Sequence, residues 1–299
     1  METFRESLVK LVMPFPAGGA GDVLARIVAN HLNTEWKQPV IVDNKAGASG
    51  TVGNAFVAKS APDGYTLLMT ITNVVQAPAL NQNVPYDILK DFTPLTRVAN
   101  APSLFVTTNP AITSLKQYVE MGSSPSSKLT YGTYGLGTTS HIYAEVFNKR
   151  NKVKALHVPY KGAAPLLNDM LGGQVDVAFV DLATALPHIQ SGRLRAYAVV
   201  GNQRSPQLPN VPTFAEQGFN GLEVIGWYGM FAPAGTPPEI AEKIRSAVEK
   251  AVRSPEGKKA ISAMGLQPAT GPREDFQQRL LADLVNWRRI IQEGGVKLE

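Results

Sequence analysis

The chain has 299 residues, of which 44% are hydrophobic and 18% charged, proportions that fit one large globular domain or two lobes of ordinary size and exclude a disordered chain. Its formal net charge is +5, but the Lys and Arg residues are scattered and form no basic cluster interleaved with aromatics. Nucleic acid is therefore not an expected partner, and mild attraction to small anions is the safer reading. The absence of cysteine excludes disulfides, thiolate zinc sites and a cysteine nucleophile, and fits either a reducing compartment or a periplasmic protein.

The opening METFRESLVK is polar and charged, and Leu8 to Phe15 carries Lys10 with no small-residue cleavage site after it, so no export signal is expected there. The longest apolar runs, such as Val177 to Val180, are of strand length and span no membrane. Leu8 to Met13 reads as a buried strand, and Val23, Leu24, Ile27, Val28 and Leu32 recur after it at a 3.6-residue period that predicts a helix. Pro39 to Val42 and Tyr65 to Met69 read as the next strands, with Thr51 to Lys59 as the helix between them, which completes a βαβαβ unit. Around Thr96 to Pro102 an apolar strand pattern meets Asn100 and Pro102, and a second set begins. Its strands are Leu104 to Thr107, Leu129 to Gly132, Ala155 to Val158, Val175 to Phe179 and Arg195 to Val199, with helices following Ser114, Thr139, Gly162 and Thr184. Leu222 to Phe231 is strand-like again, and helical patterns follow at Pro238 to Val252 and Glu274 to Glu293. The alternation predicts α/β architecture with parallel strands and crossover helices in two lobes; periodicity alone leaves open which lobe the C-terminal part joins.

The stretch MPFPAGGAGD, Met13 to Asp22, puts two prolines and three glycines between a strand and a helix. Glycines let backbone N–H groups approach a ligand, and the first N–H groups of a helix lack internal partners, so such a turn suits an anion. Two or three charge-assisted bonds, each worth roughly 1.5–3 kcal/mol, hold a carboxylate without an arginine. The alternative is a tight connection with Asp22 only capping the helix. A second turn of the same kind lies in LTYGTYGLGTTSHIYAEVF, Leu129 to Phe147, where Gly132, Tyr134, Gly135 and Gly137 are followed by Thr138, Thr139 and Ser140. Its spacing is not that of a dinucleotide loop and no Walker lysine follows, which counts against NAD and nucleoside triphosphates. Two anion cradles, one per lobe, predict a ligand gripped between lobes.

Thr70, Thr72 and Asn73 follow one strand and Asp181 another, at the ends where α/β sheets bind ligands. Asp181 either pairs with a ligand amine or hydroxyl or caps the next helix. Tyr160, Lys161 and Gly162 in HVPYKGAAP either line a pocket or form a loop. His31, His141, His157 and His188 lack metal-ligand spacing and no acidic cluster joins them. Ser140 beside His141 is no catalytic pair, because adjacent helix residues point in different directions, and no G-x-S-x-G elbow occurs.

Seven segments, in order and over nearly the whole chain, resemble the tripartite tricarboxylate transporter solute-binding family, the Bug or TctC-type periplasmic receptors. They are VMPFPAGGAGDVLAR, VIVDNKAGASGTVGNAFVAKSAPDGYTLL, YGTYGLGTTSH, HVPYKGAAPLLNDMLGGQVDVAF, ALPHIQSGRLRAYAV, LPNVPTFAEQGF and GWYGMFAPAGTP. The resemblance implies a type II periplasmic-binding-protein fold, two α/β lobes with a ligand cleft between them. It places residues 1–99 with 226–299 in lobe 1 and 100–225 in lobe 2, with crossovers near Ala99 to Ser103 and Gly221 to Trp227. It implies that a ligand carboxylate is held by Pro16, Ala17, Gly18 and Gly19 on one side and Gly137, Thr138 and Thr139 on the other, largely by backbone amides and ordered waters. Thr70, Asn73, Tyr160 and Asp181 match positions around the rest of the ligand, and Phe15, Asp22, Gly135 and Ser140 complete the candidate set. Asp181 is acidic where the family varies, which bears on the group the distal pocket accepts.

The implied protein is a periplasmic, monomeric receptor with no metal, no cofactor and no catalysis. It captures an organic acid, aromatic acid or acidic amino acid and delivers it to the membrane permease subunits of a tripartite tricarboxylate-type transporter. A sensory receptor for the same ligands is the first alternative; an enzyme using Asp22, Asp181 or His141 as acid or base is the second.

Overall fold

The computed structural model describes residues 8–80 and 83–296. Residues 1–7, on which the expectation about an export signal partly rests, lie outside them. In chain order, β1 (Val9–Met13) leads into α1 (Ala20–Trp36), and β2 (Val40–Asn44), α2 (Thr51–Ala58) and β3 (Thr66–Ile71) complete the expected βαβαβ unit. Then come α3 (Asn73–Ala79), β4 (Phe92–Ala101), β5 (Ser103–Thr107), α4 (Leu115–Ser123), β6 (Thr130–Thr133), α5 (Thr139–Arg150) and β7 (Leu156–Pro159). The remainder is α6 (Ala163–Leu171), β8 (Val177–Asp181), α7 (Leu182–Gln190), β9 (Arg195–Val199), β10 (Gly226–Pro233), α8 (Pro238–Arg253), α9 (Pro255–Ala263), β11 (Gln267–Pro268) and α10 (Arg273–Gly294).

The chain forms two compact units. The first holds the residues up to Asn100 and Trp227–Leu284, built on a six-stranded sheet in the order β11-β4-β10-β3-β1-β2. Its core joins Leu11 and Val12 of β1 to the buried stripe Leu24, Val28 and Leu32 of α1, spaced at the helical period that predicts this face. Trp227, Phe231 and Phe276 form an aromatic cluster with centroids 5.1–6.2 Å apart. The second unit, Ala101–Gly226 with the residues from Val285, carries a five-stranded sheet in the order β7-β6-β8-β5-β9. Leu104, Val106, Leu166, Met170 and Val180 are buried together on it.

Three expectations need correction. The sheets are mixed: β1 runs parallel to β2 and β3, and β6 parallel to β7 and β8, but β10 is antiparallel to β3 and β5 is antiparallel to both β8 and β9. A chain that leaves and re-enters a unit adds such strands in reverse, which no local pattern records. Two helices were not foreseen. In α3, Val74 and Val75 read as strand formers, yet nearly the whole segment is buried and tertiary packing overrides propensity. In α9, Ser254 caps a short helix by accepting from Gly257 N–H at 2.9 Å, with Pro255 in the first turn. Last, residues 226–299 do not all belong to the first unit. From Val285 the chain packs in the second, where buried Trp287 meets Tyr143 at 5.6 Å between ring centroids.

Candidate functional site

In the first unit, the exposed residues Pro16, Ala17, Gly18 and Gly19 form a loop from the carboxyl end of β1 to the amino end of α1. Gly18 adopts φ +86°, a left-handed conformation open to glycine at little cost. Asp22, in the first turn of α1, is almost fully buried and holds this loop from behind. Its carboxylate accepts from Gly18 N–H at 3.0 Å, Asn44 Nδ2 at 3.1 Å and Arg26 Nε at 3.0 Å. Burial opposes the charge, but the hydrogen bonds from Arg26, Gly18 and Asn44 outweigh it and keep the carboxyl below its usual range. Asn44 Nδ2 also donates to Phe15 O at 3.0 Å, and the Phe15 ring lies over Gly50, where a Cβ would come within 3.0 Å of it. The residue at the helix N-cap is Gly19, with no side-chain cap bond; Asp22 reaches back instead of capping. Among the described residues, the N–H groups of Gly19, Ala20 and Gly21 meet no protein acceptor.

Thr70 lies at the carboxyl end of β3, the end from which parallel β1 releases the loop. It is fully buried and its Oγ1 has no protein partner, a state that costs about 1–3 kcal/mol unless a water or ligand meets it. Asn73 opens α3 and donates through Nδ2 to Ser49 O at 2.5 Å. That bond fixes a turn the sequence reading did not single out, Ala48–Gly50, in which Ala48 and Ser49 hold φ of +44° and +51°. Two adjacent non-glycine residues in that region carry strain. The signal was present in NKAGASG, a third glycine-bearing turn between a strand and a helix.

In the second unit, the turn after β6 is made by Gly135 at φ +125° and Gly137 at φ +73°. A Cβ at Gly135 would lie 3.1 Å from Tyr160 O. Thr138 is the N-cap of α5: its hydroxyl donates to Gly135 O at 2.7 Å and accepts from His141 N–H at 3.4 Å. Thr139 and Ser140 follow in the first turn, with Ser140 Oγ donating to Phe179 O at 2.5 Å. The Gly135 N–H donates to Thr133 Oγ1 at 3.3 Å and the Gly137 N–H to His141 Nδ1 at 3.2 Å. Both turn amides are therefore engaged inside the protein.

Asp181 is the N-cap of α7, accepting from Thr184 N–H at 2.8 Å and from the Tyr134 hydroxyl at 2.7 Å. Of its two sequence readings, the cap is the one these bonds describe. Burial, then the Asp181 charge, push the Tyr134 phenol well up. The Tyr160 hydroxyl donates to Asp169 Oδ2 at 2.7 Å; burial and that carboxylate raise it to about 12.

The histidine expectation also needs correction, because an acidic residue does join two of them. His141, Glu145 and His157 offer ligand atoms within 4.8 Å of one another. His141 and Glu145 share a face of α5 at i, i+4 spacing, while His157 arrives from β7, paired with Tyr131 of β6. The His141 and His157 rings are stacked, with centroids 4.6 Å and planes 11° apart. Near-parallel planes share no common in-plane point for one metal ion. His141 Nδ1 accepts an N–H, whereas a ligating imidazole donates from its second nitrogen. The set supports the turn better than it would hold a metal.

Two α/β units, each turning through glycines from a strand onto a helix, make up the two-lobed fold of periplasmic binding proteins. The chain belongs to the TctC family, the tripartite tricarboxylate transporter family receptors, whose family model matches residues 24–296. The protein BugT of Bordetella pertussis is 33% identical over 302 residues, covering 100% of this chain and 92% of that one. Two solved structures from Rhodopseudomonas palustris superpose closely. Rpa4515 with adipate has a TM-score of 0.89 at 33% identity, covering 97% of this chain and 98% of that one. MatC with bound malate has a TM-score of 0.85 at 29% identity, covering 95% and 98%. Among the described residues, no helix is long and apolar enough to cross a membrane.

Proposed function

We propose that this chain is an extracytoplasmic, periplasmic receptor that captures a small carboxylate by closure of its two lobes and delivers it to the membrane permease of a tripartite tricarboxylate-type transporter. The observation that carries this reading is the start of α1, where the N–H groups of Gly19, Ala20 and Gly21 have no protein acceptor and no cationic side chain stands in the loop before them. Unpartnered amides at the positive end of a 17-residue helix favour an anion. The Gly135–Ser140 turn supplies the second contact, through the first turn of α5. Thr70 Oγ1 is buried without a protein partner, which supports a role for it in meeting a polar group of the ligand or a water. Adipate and malate in the two neighbours are both dicarboxylates, so a dicarboxylate is the first class to try. A receptor needs no nucleophile or acid–base pair, and the aspartates offered for an enzyme are committed to structural bonds.

Isothermal titration with adipate, malate, aromatic acids, monocarboxylates and acidic amino acids tests the reading. One of them should bind without turnover and raise the melting temperature. No heat and no stabilisation from any carboxylate would refute it, and chemical change of the bound acid, seen by mass spectrometry, would return the enzyme alternative.

A further inference from the structure

A neutral imidazole that accepts a hydrogen bond at Nδ1 carries its proton on Nε2. His141 is in that state: it is 2% exposed, and the Gly137 N–H donates to its Nδ1 at 3.2 Å. Two titratable groups face its ring, and a third stands behind them. Glu145 comes from the same helix, with Oε1 3.9 Å from His141 Nε2. His157 comes from β7 and stacks on it. Tyr131 comes from β6, stacks on His157 at 4.8 Å and donates its hydroxyl to Glu145. His157 Nε2 is hydrogen-bonded to Thr133 Oγ1 at 2.7 Å, and that same oxygen accepts the Gly135 N–H. Both amides of the glycine turn thus end on the histidine stack, Gly137 directly and Gly135 through Thr133.

We propose that His141 is the positioning residue of the Gly135–Ser140 turn: its unprotonated Nδ1 latches the Gly137 N–H inward and so presents the first turn of α5 to the ligand, and a proton on Nδ1 opens the latch. The part concerning ligand rests on the carboxylate reading above; the part concerning the turn stands without it. Burial first, and the neighbouring His157 second, lower His141 to about 4, with Glu145 opposing them. The latch is therefore closed at neutral pH and opens only in acid. A histidine that merely filled space would need no particular nitrogen toward Gly137.

The test follows amide and ring resonances of the whole protein, labelled with nitrogen-15 in glycine and histidine, from about pH 7 to about pH 4. The expected result is an unprotonated Nδ1 at neutral pH and a Gly137 amide that titrates together with the His141 ring. His141→Asn keeps an acceptor near the Nδ1 position and His141→Gln moves it toward Nε2. The Asn variant should retain the Gly137 amide shift, and the Gln variant should lose it and weaken adipate or malate binding by about tenfold or more. A protonated Nδ1 at neutral pH, a Gly137 amide indifferent to the ring, or Asn and Gln variants that behave alike would each overturn the proposal. The wild-type titration decides the latch even if a variant fails to fold. If neither adipate nor malate binds the wild-type protein, that ligand class falls while the Gly137 measurement still decides the role of His141.

Discussion

Replacing Asp22 with alanine removes the acceptor for three hydrogen bonds behind the first loop. Bonds to a charged partner are worth roughly 1.5–3 kcal/mol each, but they are not equal here. The Arg26 side chain is 54% exposed, so its pair is screened and contributes less than about 1 kcal/mol. Asn44 keeps Phe15 O as a second acceptor, which softens its loss. The Gly18 N–H has no other partner, and the turn that Gly18 makes at φ +86° depends on that bond. A destabilisation of about 3 kcal/mol follows, equivalent to a melting temperature lower by roughly 6–12 °C. If the parent protein binds a carboxylate as proposed, the affinity should fall by about tenfold or more, because the Gly19–Gly21 amides lose their fixed direction. Thermal unfolding at pH 7 and isothermal titration measure the two effects. Because the folded-state carboxyl sits below 3.8, its contribution is present above that pH and fades as pH falls through the folded value. An alanine variant with the melting temperature and affinity of the parent would refute the account of Asp22 as the organiser of the loop.

Trp287→Ala should cost roughly 3–5 kcal/mol as a buried aromatic truncation, and hydrogen exchange should lose protection in α5, not in β1 to β3; the reverse pattern would return the end of α10 to the first unit. His141 should shape the acid limb of stability: its unfolded state titrates near 6.5 and its folded state near 4, so unfolded chains take up the proton first and stability declines as pH falls from 6.5 toward 4. The full effect is roughly 3 kcal/mol, and His141→Asn should flatten that limb in urea titrations while leaving the lower-pH limb of Asp22 in place.

Much of this was legible because local chemistry carried it. The period of Leu24, Val28 and Leu32 fixed α1, and glycine next to a strand end marked both turns before any family pattern was applied. What escaped detection depended on distance in the sequence. Asp22 reads as a cap from its neighbours alone, and only Asn44 and the Gly18 N–H, brought in by β2 and the loop, give it a different task. Asp181 has two readings from sequence, which Tyr134, 47 positions away, separates; the ring that stacks on His141 arrives from β7, 16 positions further on. The turn Ala48–Gly50 lies within a longer glycine-bearing motif, but its strain lies in φ angles that composition does not display. The antiparallel strands β10 and β5 follow from where the chain crosses between units, and no window of ten residues contains that information.

The overall positive charge is not concentrated at either glycine turn, which bears on the kind of grip the two turns offer. A net charge of +5 gives mild attraction to small anions, and neither Pro14–Gly21 nor Tyr134–Ser140 contains a lysine or arginine. Arg26, the arginine next in sequence after the first loop, pairs through Nε with Asp22. A bidentate guanidinium would grip a carboxylate tightly and in one geometry. Backbone amides at helix ends offer partial charges that need no counter-ion when empty, so their desolvation opposes binding less than that of a full charge. On the proposed receptor reading, a protein that captures a solute and then surrenders it gains from that choice: directional bonds set what enters, and no buried full charge is stranded when it leaves. Asp22 and His141 then have parallel tasks in the two units. Each is a buried titratable side chain that contacts a glycine N–H and holds a turn in shape, and neither needs to touch the ligand for its loss to be felt in binding.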